Sequence, residues 1–393
     1  MFIMYIMVLG IAAYGGAFIK INIAGIPFAY ITIGALCFSY LRYFIKKKGK
    51  LYLDKKTKAI AIFEIYGLFL VICSLLGINK LFISKSLYIN AFYIPRQAYY
   101  LIVLPALILM REKEYLYPLK KTIDNFGELL FWCIYIIKII SNRSFCISVP
   151  TVLILSGLAL YNGGTKRTLK NYIKFLIIVL TPVAMGGELT NIIIRLIYVC
   201  IFLFRKHKRY VVKILSTTLI CMIITIFILP AFYSFFESIL DANSFWRLKY
   251  WNDELVQFRE SNLFGVGYGT SYATESFVGK IGNVVGGPFG ATAEYTMMDK
   301  LFVVGPHNSY IAIVFRLGLI GIIMFLYFIF SINSGIKRYY KDISPVSMFL
   351  FYSSIVLIGV NVGLESPYYL LLFVFSVGMT VYDITICEKF KSK

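Results

Sequence analysis

The sequence predicts an all-α polytopic membrane protein with about twelve transmembrane helices and one large extracytoplasmic loop. Two observations support this fold class. The 393-residue chain is 59% hydrophobic and 17% aromatic, with a mean hydropathy of +0.77, and apolar stretches of close to bilayer-spanning length recur along almost all of it. Those stretches lie near residues 2–18, 22–44, 59–78, 98–110, 126–140, 145–161, 171–186, 190–204, 212–230, 308–331, 346–363 and 367–386.

The distribution of charge supports the same fold class. A net charge of +21 would also suit a nucleic-acid-binding protein, but in a membrane protein it arises from Lys and Arg in cytoplasmic connections. We therefore expect the lipid bilayer as a partner, no nucleic acid, and both termini in the cytoplasm. The basic residues fall in six clusters at alternate connections, at residues 46–58, 111–121, 165–170, 205–209, 337–342 and 387–393.

The segments divide the chain into three regions. Residues 1–230 hold predicted transmembrane helices 1–9, residues 231–306 form the large outer loop with interfacial helices, and residues 307–393 hold transmembrane helices 10–12 and a cytoplasmic tail. The loop carries eight acidic residues against five Lys or Arg, whereas the rest of the chain carries eleven against thirty-five. This reversal predicts that the loop lies outside, and a loop of such length is usually functional.

The loop contains a stretch that combines aromatic and basic residues, SFWRLKYWNDELVQFRE (244–260). Aromatic side chains along one side of a helix suit a membrane-surface helix, a platform for sugars, or both. Arg247 is a candidate phosphate ligand, because guanidinium binds phosphate oxygens bidentately. Arg259 is a second candidate, although a solvated salt bridge with an acidic neighbour also explains it. The predicted side of the helix carries Trp246, Arg247, Tyr250, Trp251 and Leu255.

Several cofactor and metal chemistries have no support in the sequence. GVGYG (265–269) is not a nucleotide fingerprint, because it lacks a strand-to-helix context and a P-loop lysine, and its glycines suit a tight turn near a ligand or a helix. The two histidines lie far apart, the seven cysteines form no CxxC pair, and no D-x-D pair stands at an outward loop. We expect a metal-independent protein with no cofactor.

His307 follows Pro306 at the start of predicted transmembrane helix 10. The positive end of the helix dipole would lower the imidazole pKa and favour the neutral ring, which is the form that acts as a general base. The alternative is an interfacial histidine that only caps the helix. The other histidine, His207, lies in the basic run RKHKR and is expected on the cytoplasmic surface.

Two arginines, Arg195 and Arg316, interrupt apolar runs near the outer side. A guanidinium in a membrane is unfavourable unless it is paired, so each is a candidate functional residue. Arg195 shares a helical face with Glu188 and Asn191, which leaves a purely structural linkage open. Arg316 has no carboxylate on its own helix, so its partner is expected to come from another helix or from a ligand anion.

Residues 245–321 carry a combination of motifs that is similar to one superfamily. Arg247-x-x-x-Trp251 is followed by the turn NLFGVGYG (262–269) and then by PHNSYI (306–311), which opens a membrane helix that contains GLIGI. This combination resembles the O-antigen polymerase and O-antigen ligase superfamily (Wzy and its relatives).

The resemblance implies a metal-independent, inverting glycosyltransferase with a GT-C-like, membrane-embedded architecture. Such an enzyme acts at the periplasmic face of the bacterial inner (cytoplasmic) membrane on oligosaccharides linked to undecaprenyl diphosphate, with a polysaccharide chain-length regulator as a further partner. By this resemblance the catalytic residues are His307, for acceptor activation or positioning, and Arg247, for binding of the diphosphate or a phosphosugar. The expected substrate-binding residues are Arg195, Arg316, Asn308, Trp251, Tyr310 and Arg259.

The leading functional hypothesis is an O-antigen (surface polysaccharide) polymerase, which transfers a growing glycan from undecaprenyl diphosphate to the non-reducing end of a lipid-linked repeat unit. The superfamily often has Ser-Arg or Thr-Arg where this chain has ELTN (188–191) and a deeper Arg195. This departure favours a polymerase over a ligase that transfers polymer to lipid A core. From another class, a lipid-linked oligosaccharide flippase would show two similar halves and no large outer loop. A non-catalytic scaffold would leave Arg195, Arg316 and His307 unexplained.

Overall fold

The computed structural model is helical along nearly all of the chain that it describes. It describes residues 2–14, 21–23, 26–49, 54–78, 89–142, 146–162, 168–182, 188–237, 239–240, 242–261, 263–284, 296–360, 364 and 366–391. The α-helices are α1 (Phe2–Tyr14), α2 (Phe28–Lys46), α3 (Lys55–Leu75), α4 (Ile94–Gln97), α5 (Val103–Arg111), α6 (Lys113–Asn142), α7 (Val149–Asn162), α8 (Leu169–Leu180), α9 (Glu188–Leu203), α10 (Lys208–Ile228), α11 (Ala242–Glu260), α12 (Glu275–Val284), α13 (Met297–Phe302), α14 (Ser309–Arg338), α15 (Pro345–Val360) and α16 (Pro367–Lys391).

Short elements join these helices. In the described ranges the strands are β1 (Asn22–Ile23) and β2 (Ile26–Pro27), which pair antiparallel as a hairpin. The sequence placed a transmembrane segment near 22–44, but α2 begins only at Phe28. Proline disfavours helical backbone at the residue before it, which explains this boundary. The 3-10 helices are Ala91–Tyr93, Tyr99–Ile102, Arg205–His207 and Leu229–Phe236.

The described chain contains five helices that are long and apolar enough to cross a membrane, and a sixth if one bent pair is a single span. The bent pair is Ala91–Gln97 with Tyr99–Arg111, at an angle of 47°. Helices α1, α7, α8, α9 and α15 also follow predicted segments, but they have 12 to 16 residues, fewer than the ~20 that usually span the hydrocarbon. The chain is therefore a polytopic membrane protein, and twelve spans stay a prediction. The five helices are Phe28–Lys46, Thr57–Leu75, Arg205–Phe236, Ser309–Arg338 and Pro367–Phe390.

The interior of the bundle is formed by α15 and α16. Every residue of α15 from Val346 to Gly359 is buried, as expected for a helix that is apolar on all sides. Polar side chains in this interior link helices to one another. The hydroxyl of Ser216 on α10 donates to Asn333 Oδ1 on α14 at 2.9 Å, and that of Tyr352 on α15 donates to the same oxygen at 2.8 Å. Such bonds help membrane helices to associate, because lipid provides no hydrophobic drive between them.

Helix α14 is interrupted at Gly318, whose φ of 63° and ψ of −158° are not helical. The glycine-rich loop, which is residues 263–272 of the predicted outer loop, supplies hydrogen bonds at this break. The N–H of Val266 donates to Phe315 O at 2.8 Å, and the N–H of Gly267 donates to Arg316 O at 3.0 Å. Because buried backbone groups need partners, the loop and the interrupted helix depend on each other.

Two glycines allow this loop to meet the helix backbone. The N–H of Leu319, just after the break, donates to Leu263 O at 2.9 Å. A Cβ atom on Gly265 would lie 2.5 Å from Gly318 N, and a Cβ atom on Gly318 would lie 2.3 Å from Leu263 O. Both glycines also have positive φ. Glycine is therefore required at each position for space and for backbone conformation.

The same loop runs along α3. The N–H of Tyr268 donates to Ser74 Oγ at 2.9 Å, and the hydroxyl of Tyr66 donates to Phe264 O at 3.3 Å. Ser74 and Tyr66 are eight residues apart on one helix, a distance of about 12 Å. The segment between Phe264 and Tyr268 thus follows α3 for about two turns. Part of the region predicted as an outer loop therefore lies in contact with the membrane-spanning helices α3 and α14.

We predict that Gly318→Ala lowers the free energy of unfolding by about 2 kcal/mol or more, because its methyl group would meet backbone atoms of the loop at a position of positive φ. The measurement is the thermal unfolding midpoint in detergent, together with the level of the variant in membranes. Gly34→Ala is the matched control, because a Cβ on Gly34 of α2 would enter open space. An unchanged midpoint for Gly318→Ala would contradict the close contact.

Candidate active site

Two side chains of α11 hold the segment that precedes α14. The hydroxyl of Tyr250 donates to Val304 O at 2.8 Å, and the indole N–H of Trp251 donates to Pro306 O. Both residues lie on the side of α11 that was predicted to carry the aromatic residues. The backbone next to His307 is therefore attached to α11 directly before α14 begins.

His307 has an unusual backbone conformation and a buried ring nitrogen without a hydrogen-bond partner among the described residues. Its φ is 56°, in a region that residues other than glycine seldom occupy. The residue as a whole is half-buried, yet Nδ1 is shielded from solvent and has no hydrogen-bond partner among the described residues. The indole of Trp246 stands at 84° to the imidazole, with ring centroids 5.4 Å apart. Backbone strain and an unsatisfied buried polar atom are both frequent at functional sites.

Burial, followed by the nearby charge of Arg247, lowers the pKa of His307 to about 3. The sequence predicted a lowered pKa from the helix dipole; the direction agrees, but desolvation is the main cause. The imidazole is therefore neutral across the physiological pH range and is able to accept a hydrogen bond at its unprotonated nitrogen. An anion bound beside Arg247 would make the imidazole more basic, because it would offset the positive charge.

Arg247 lies beside the same indole as His307. Its guanidinium carbon is 5.6 Å from the centre of the Trp246 ring, and the residue is half-buried on α11. The structure thus brings together the two residues that were predicted to be catalytic. A partly exposed guanidinium next to a neutral imidazole can bind a phosphate oxygen while the imidazole contacts a hydroxyl group.

Asn308, predicted to bind substrate, caps α14. Its side-chain Oδ1 accepts from the N–H groups of Tyr310 at 3.0 Å and Ile311 at 3.3 Å, which satisfies two donors of the first helical turn. Its Nδ2 is buried and has no partner in the described part of the chain. Oδ1 of Asn308 therefore has a structural role, whereas its Nδ2 has no partner in the described chain. Nδ2 belongs to the residue next to His307, whose Nδ1 is also unpartnered there.

The structure corrects the expected partner of Arg316. This residue is 1% exposed, and its guanidinium donates to Gly267 O at 2.9 Å, to Thr270 Oγ1 at 2.7 Å and to Thr270 O at 3.1 Å. It also stacks on the Tyr272 ring at 3.9 Å. In the described part of the chain the partner is the glycine-rich loop, and Nε of Arg316 is buried without a partner there. Arg316 attaches this loop to α14, and its role in substrate binding stays a prediction.

Gln97 connects the glycine-rich loop to the segment before His307. Its Nε2 donates to Thr270 O at 3.0 Å and to Phe302 O at 3.2 Å, and its Oε1 accepts from Gly269 N–H at 2.7 Å. The predictions from sequence did not include Gln97, nor Trp246 as a neighbour of His307. A polar residue at the end of a long outward connection was the signal available for Gln97, and the aromatic side of α11 was the signal for Trp246.

Arg195 lies on α9 and donates to Val179 O at 3.2 Å. The structural linkage considered from the sequence passes through Asn191, but the amide of that residue donates to Ile147 O at 3.0 Å. The side chain of Glu188 lies outside the described residues. In the chain as described, no hydrogen bond or ring contact joins Arg195 to His307, and its role as a second diphosphate ligand stays a prediction.

Two other predicted ligands are also separate from the imidazole. Tyr310 is buried in the bundle core, where its ring lies 6.0 Å from that of Phe325. Arg259 is exposed at the last turn of α11. Among the residues placed by the structure, neither one shares a hydrogen bond or ring contact with His307. No group of three or more His, Cys, Asp or Glu side chains suited to a metal ion occurs in the same described residues.

The segment that contains these contacts matches a known family. Residues 173–326 match the family model described as O-antigen ligase. The predicted resemblance to the O-antigen polymerase and ligase superfamily is confirmed. The match includes α11, the glycine-rich loop, His307 and the first half of α14, and it supports a membrane glycosyltransferase-like enzyme of the O-antigen ligase and polymerase type. No curated protein matches the sequence.

We predict that acidification destabilises this protein through His307. The unfolded imidazole takes up a proton near its ordinary pKa of about 6.5, whereas the folded one stays neutral down to about 3. Between these values the unfolded state binds more protons, so the free energy of unfolding falls as the pH drops below about 6.5. His307→Gln removes this contribution.

The measurement is thermal unfolding in detergent at about pH 7 and about pH 4.5, with His207→Gln as the control because His207 is exposed. We expect acidification to lower the midpoint more in the wild type and in His207→Gln than in His307→Gln. Equal decreases in all three proteins would contradict a neutral, desolvated His307.

We predict that Arg316→Lys loosens the glycine-rich loop, because lysine lacks the planar fork that reaches two carbonyl oxygens and a hydroxyl at once. Loss of these buried hydrogen bonds should cost about 1–3 kcal/mol of stability and should speed proteolysis between residues 263 and 270. Full stability combined with weaker donor binding would instead assign Arg316 to the substrate.

Proposed function

We propose that this protein is a surface polysaccharide polymerase of the O-antigen type. It transfers a growing glycan from undecaprenyl diphosphate to the non-reducing end of a lipid-linked repeat unit, without metal and with inversion at the anomeric carbon. The proposal places the protein in the bacterial inner membrane with both termini cytoplasmic and His307 on the periplasmic side. Its partners are the lipid-linked oligosaccharide and a chain-length regulator.

The observation that supports this proposal is that Arg247 and His307 both lie beside the indole of Trp246, inside the segment that matches the O-antigen ligase family. One group is permanently cationic and suits a diphosphate. The other is neutral and suits a hydroxyl group. Glycan transfer from a lipid diphosphate to a sugar hydroxyl needs both of these groups close together.

Arg247 serves the donor in this mechanism. Its guanidinium binds the diphosphate and stabilises the negative charge that grows as the bond from the anomeric carbon to the phosphate oxygen breaks. The half-buried position of Arg247 on α11 strengthens this interaction relative to bulk water. The leaving group is undecaprenyl diphosphate, which stays in the membrane with its isoprenoid chain.

His307 serves the acceptor. Its neutral imidazole accepts a hydrogen bond from the non-reducing hydroxyl group and so directs the oxygen at the anomeric carbon. The new carbon–oxygen bond forms on the face opposite the diphosphate, which gives inversion, and the hydroxyl proton leaves through the imidazole. Negative charge of the donor beside Arg247 makes the imidazole more basic at the time when the proton is transferred.

A ligase that transfers finished polymer to lipid A core is the second candidate, and the description of the matching family as O-antigen ligase favours it. The two reactions share the donor and differ in the acceptor. The departure at ELTN (188–191), with the arginine placed deeper at Arg195, supports the polymerase. A flippase for lipid-linked oligosaccharides would have no use for a neutral imidazole beside the arginine.

We predict that His307→Ala and Arg247→Ala each abolish polymer formation while the protein stays in the membrane. The experiment is a gel of surface polysaccharide from a deletion strain that carries the wild type or a variant, with an immunoblot for membrane level. Loss of the acceptor-directing group should leave a single repeat unit where the wild type gives a ladder. Arg209→Ala is the matched control, because Arg209 is exposed at the start of α10.

The outcomes separate the candidates. Polymer that accumulates on the lipid carrier and is absent from lipid A in the deletion strain would identify a ligase. Repeat units that remain on the cytoplasmic side of the membrane would identify a flippase. An unchanged ladder for His307→Ala would contradict the site, and protein loss in step with polymer loss would mean that these residues are structural.

A further inference from the structure

The orientation of the His307 ring needs an explanation that hydrogen bonding does not give. A catalytic imidazole is commonly held by a hydrogen bond at the nitrogen that does not react, usually to a carboxylate or a carbonyl group. In the described part of this chain Nδ1 of His307 is buried and has no such partner. Packing must therefore hold the ring.

Trp246 supplies this packing. Its indole is 1% exposed and stands almost perpendicular to the imidazole, at 84° and 5.4 Å between centroids. Edge-to-face contact is a preferred geometry of aromatic pairs, and it resists rotation of either ring. The indole itself is fixed within a second hydrophobic core, which also contains Tyr250, Phe277, Phe302 and Phe315.

We propose that Trp246 is a positioning residue that fixes the imidazole of His307 in its reactive orientation and excludes water from Nδ1. The inference rests on the function proposed above, because it assigns Trp246 a part in that reaction. Trp246 does not touch the reacting atoms in this scheme. It acts through His307, and it also lies against the guanidinium of Arg247.

Several charged and titratable groups of the described residues lie on the elements around this packing. On α11, the buried carboxylate of Glu254 and that of Asp253 act on Tyr250. From α11, Arg247 acts on the imidazole through its charge, while the hydroxyl of Tyr250 is donated to Val304 O. From α14, Arg316 is bound to the glycine-rich loop. From α13, Asp299 accepts from the hydroxyl of Thr296. Removal of the indole would therefore expose His307 chiefly to water.

Two histidines in the whole chain make a direct test possible. In protein labelled with ¹³C and ¹⁵N at histidine, the variant His207→Gln has a single histidine signal, that of His307. We expect this signal to report one neutral tautomer that does not titrate between about pH 5 and pH 8. Adding Trp246→Leu should admit water, so that the signal averages between tautomers and titrates near pH 6.5, the ordinary value for histidine.

A more conservative variant separates positioning from folding. Trp246→Phe keeps an aromatic edge beside the imidazole and should preserve the single tautomer, whereas Trp246→Leu removes it. Trp132→Leu is the matched control, because Trp132 lies on α6 and its indole donates to Glu128 on the same helix. A non-titrating single tautomer in Trp246→Leu would overturn the proposal.

Activity provides the second measurement. We expect Trp246→Leu to slow polymer formation by about tenfold or more at equal membrane level, with Trp246→Phe and Trp132→Leu close to the wild type. The rate of Trp246→Leu should also fall as the pH drops through about 6.5, where its exposed imidazole gains a proton. A changed NMR signal with full activity would overturn the positioning role. Failure of the wild type to form polymer would instead reject the proposed function and leave the NMR comparison intact.

Discussion

The backbone contact between Gly265 and Gly318 is the constraint on which the rest of the candidate site depends. It allows the glycine-rich loop to bond to both sides of the interruption in α14. The short helical piece from Ser309 to Leu317 is thereby separated from the rest of α14 and held by its surroundings. Arg316 holds one end of that piece, and Tyr250 and Trp251 hold the segment at the other end.

The molecule uses a second hydrophobic core to support the site. The main core fills the helix bundle, whereas the second core lies between α11, the glycine-rich loop and the start of α14 and includes Trp246 and Phe315. His307 lies at the border of this second core. At this border one side of the imidazole packs on Trp246, while the other side can contact a ligand. A half-buried imidazole can therefore still contact a substrate.

Much of the fold could be predicted from the sequence, because it depends on local patterns. Apolar runs predicted the helices, and the stretch of aromatic and basic residues at 244–260 predicted α11. The pairing of Arg247 with His307 came from the resemblance, since sixty residues separate them in the chain. The partner of Arg316 could not be predicted, because its acceptors are backbone carbonyls and a hydroxyl group, and no residue type marks them. The same holds for Trp246, whose neighbour is set by tertiary packing.

The first residues of the glycine-rich loop are exposed on the surface of the protein. Leu263 and Phe264 are 47% and 49% exposed, beside Leu319 and Ile320, which are 46% and 42% exposed. The four side chains form an exposed apolar patch beside the interruption in α14, and such a patch suits the acyl chains of a bilayer. Detergent that replaces lipid would therefore contact the protein at this patch, next to the close approach of Gly265 and Gly318.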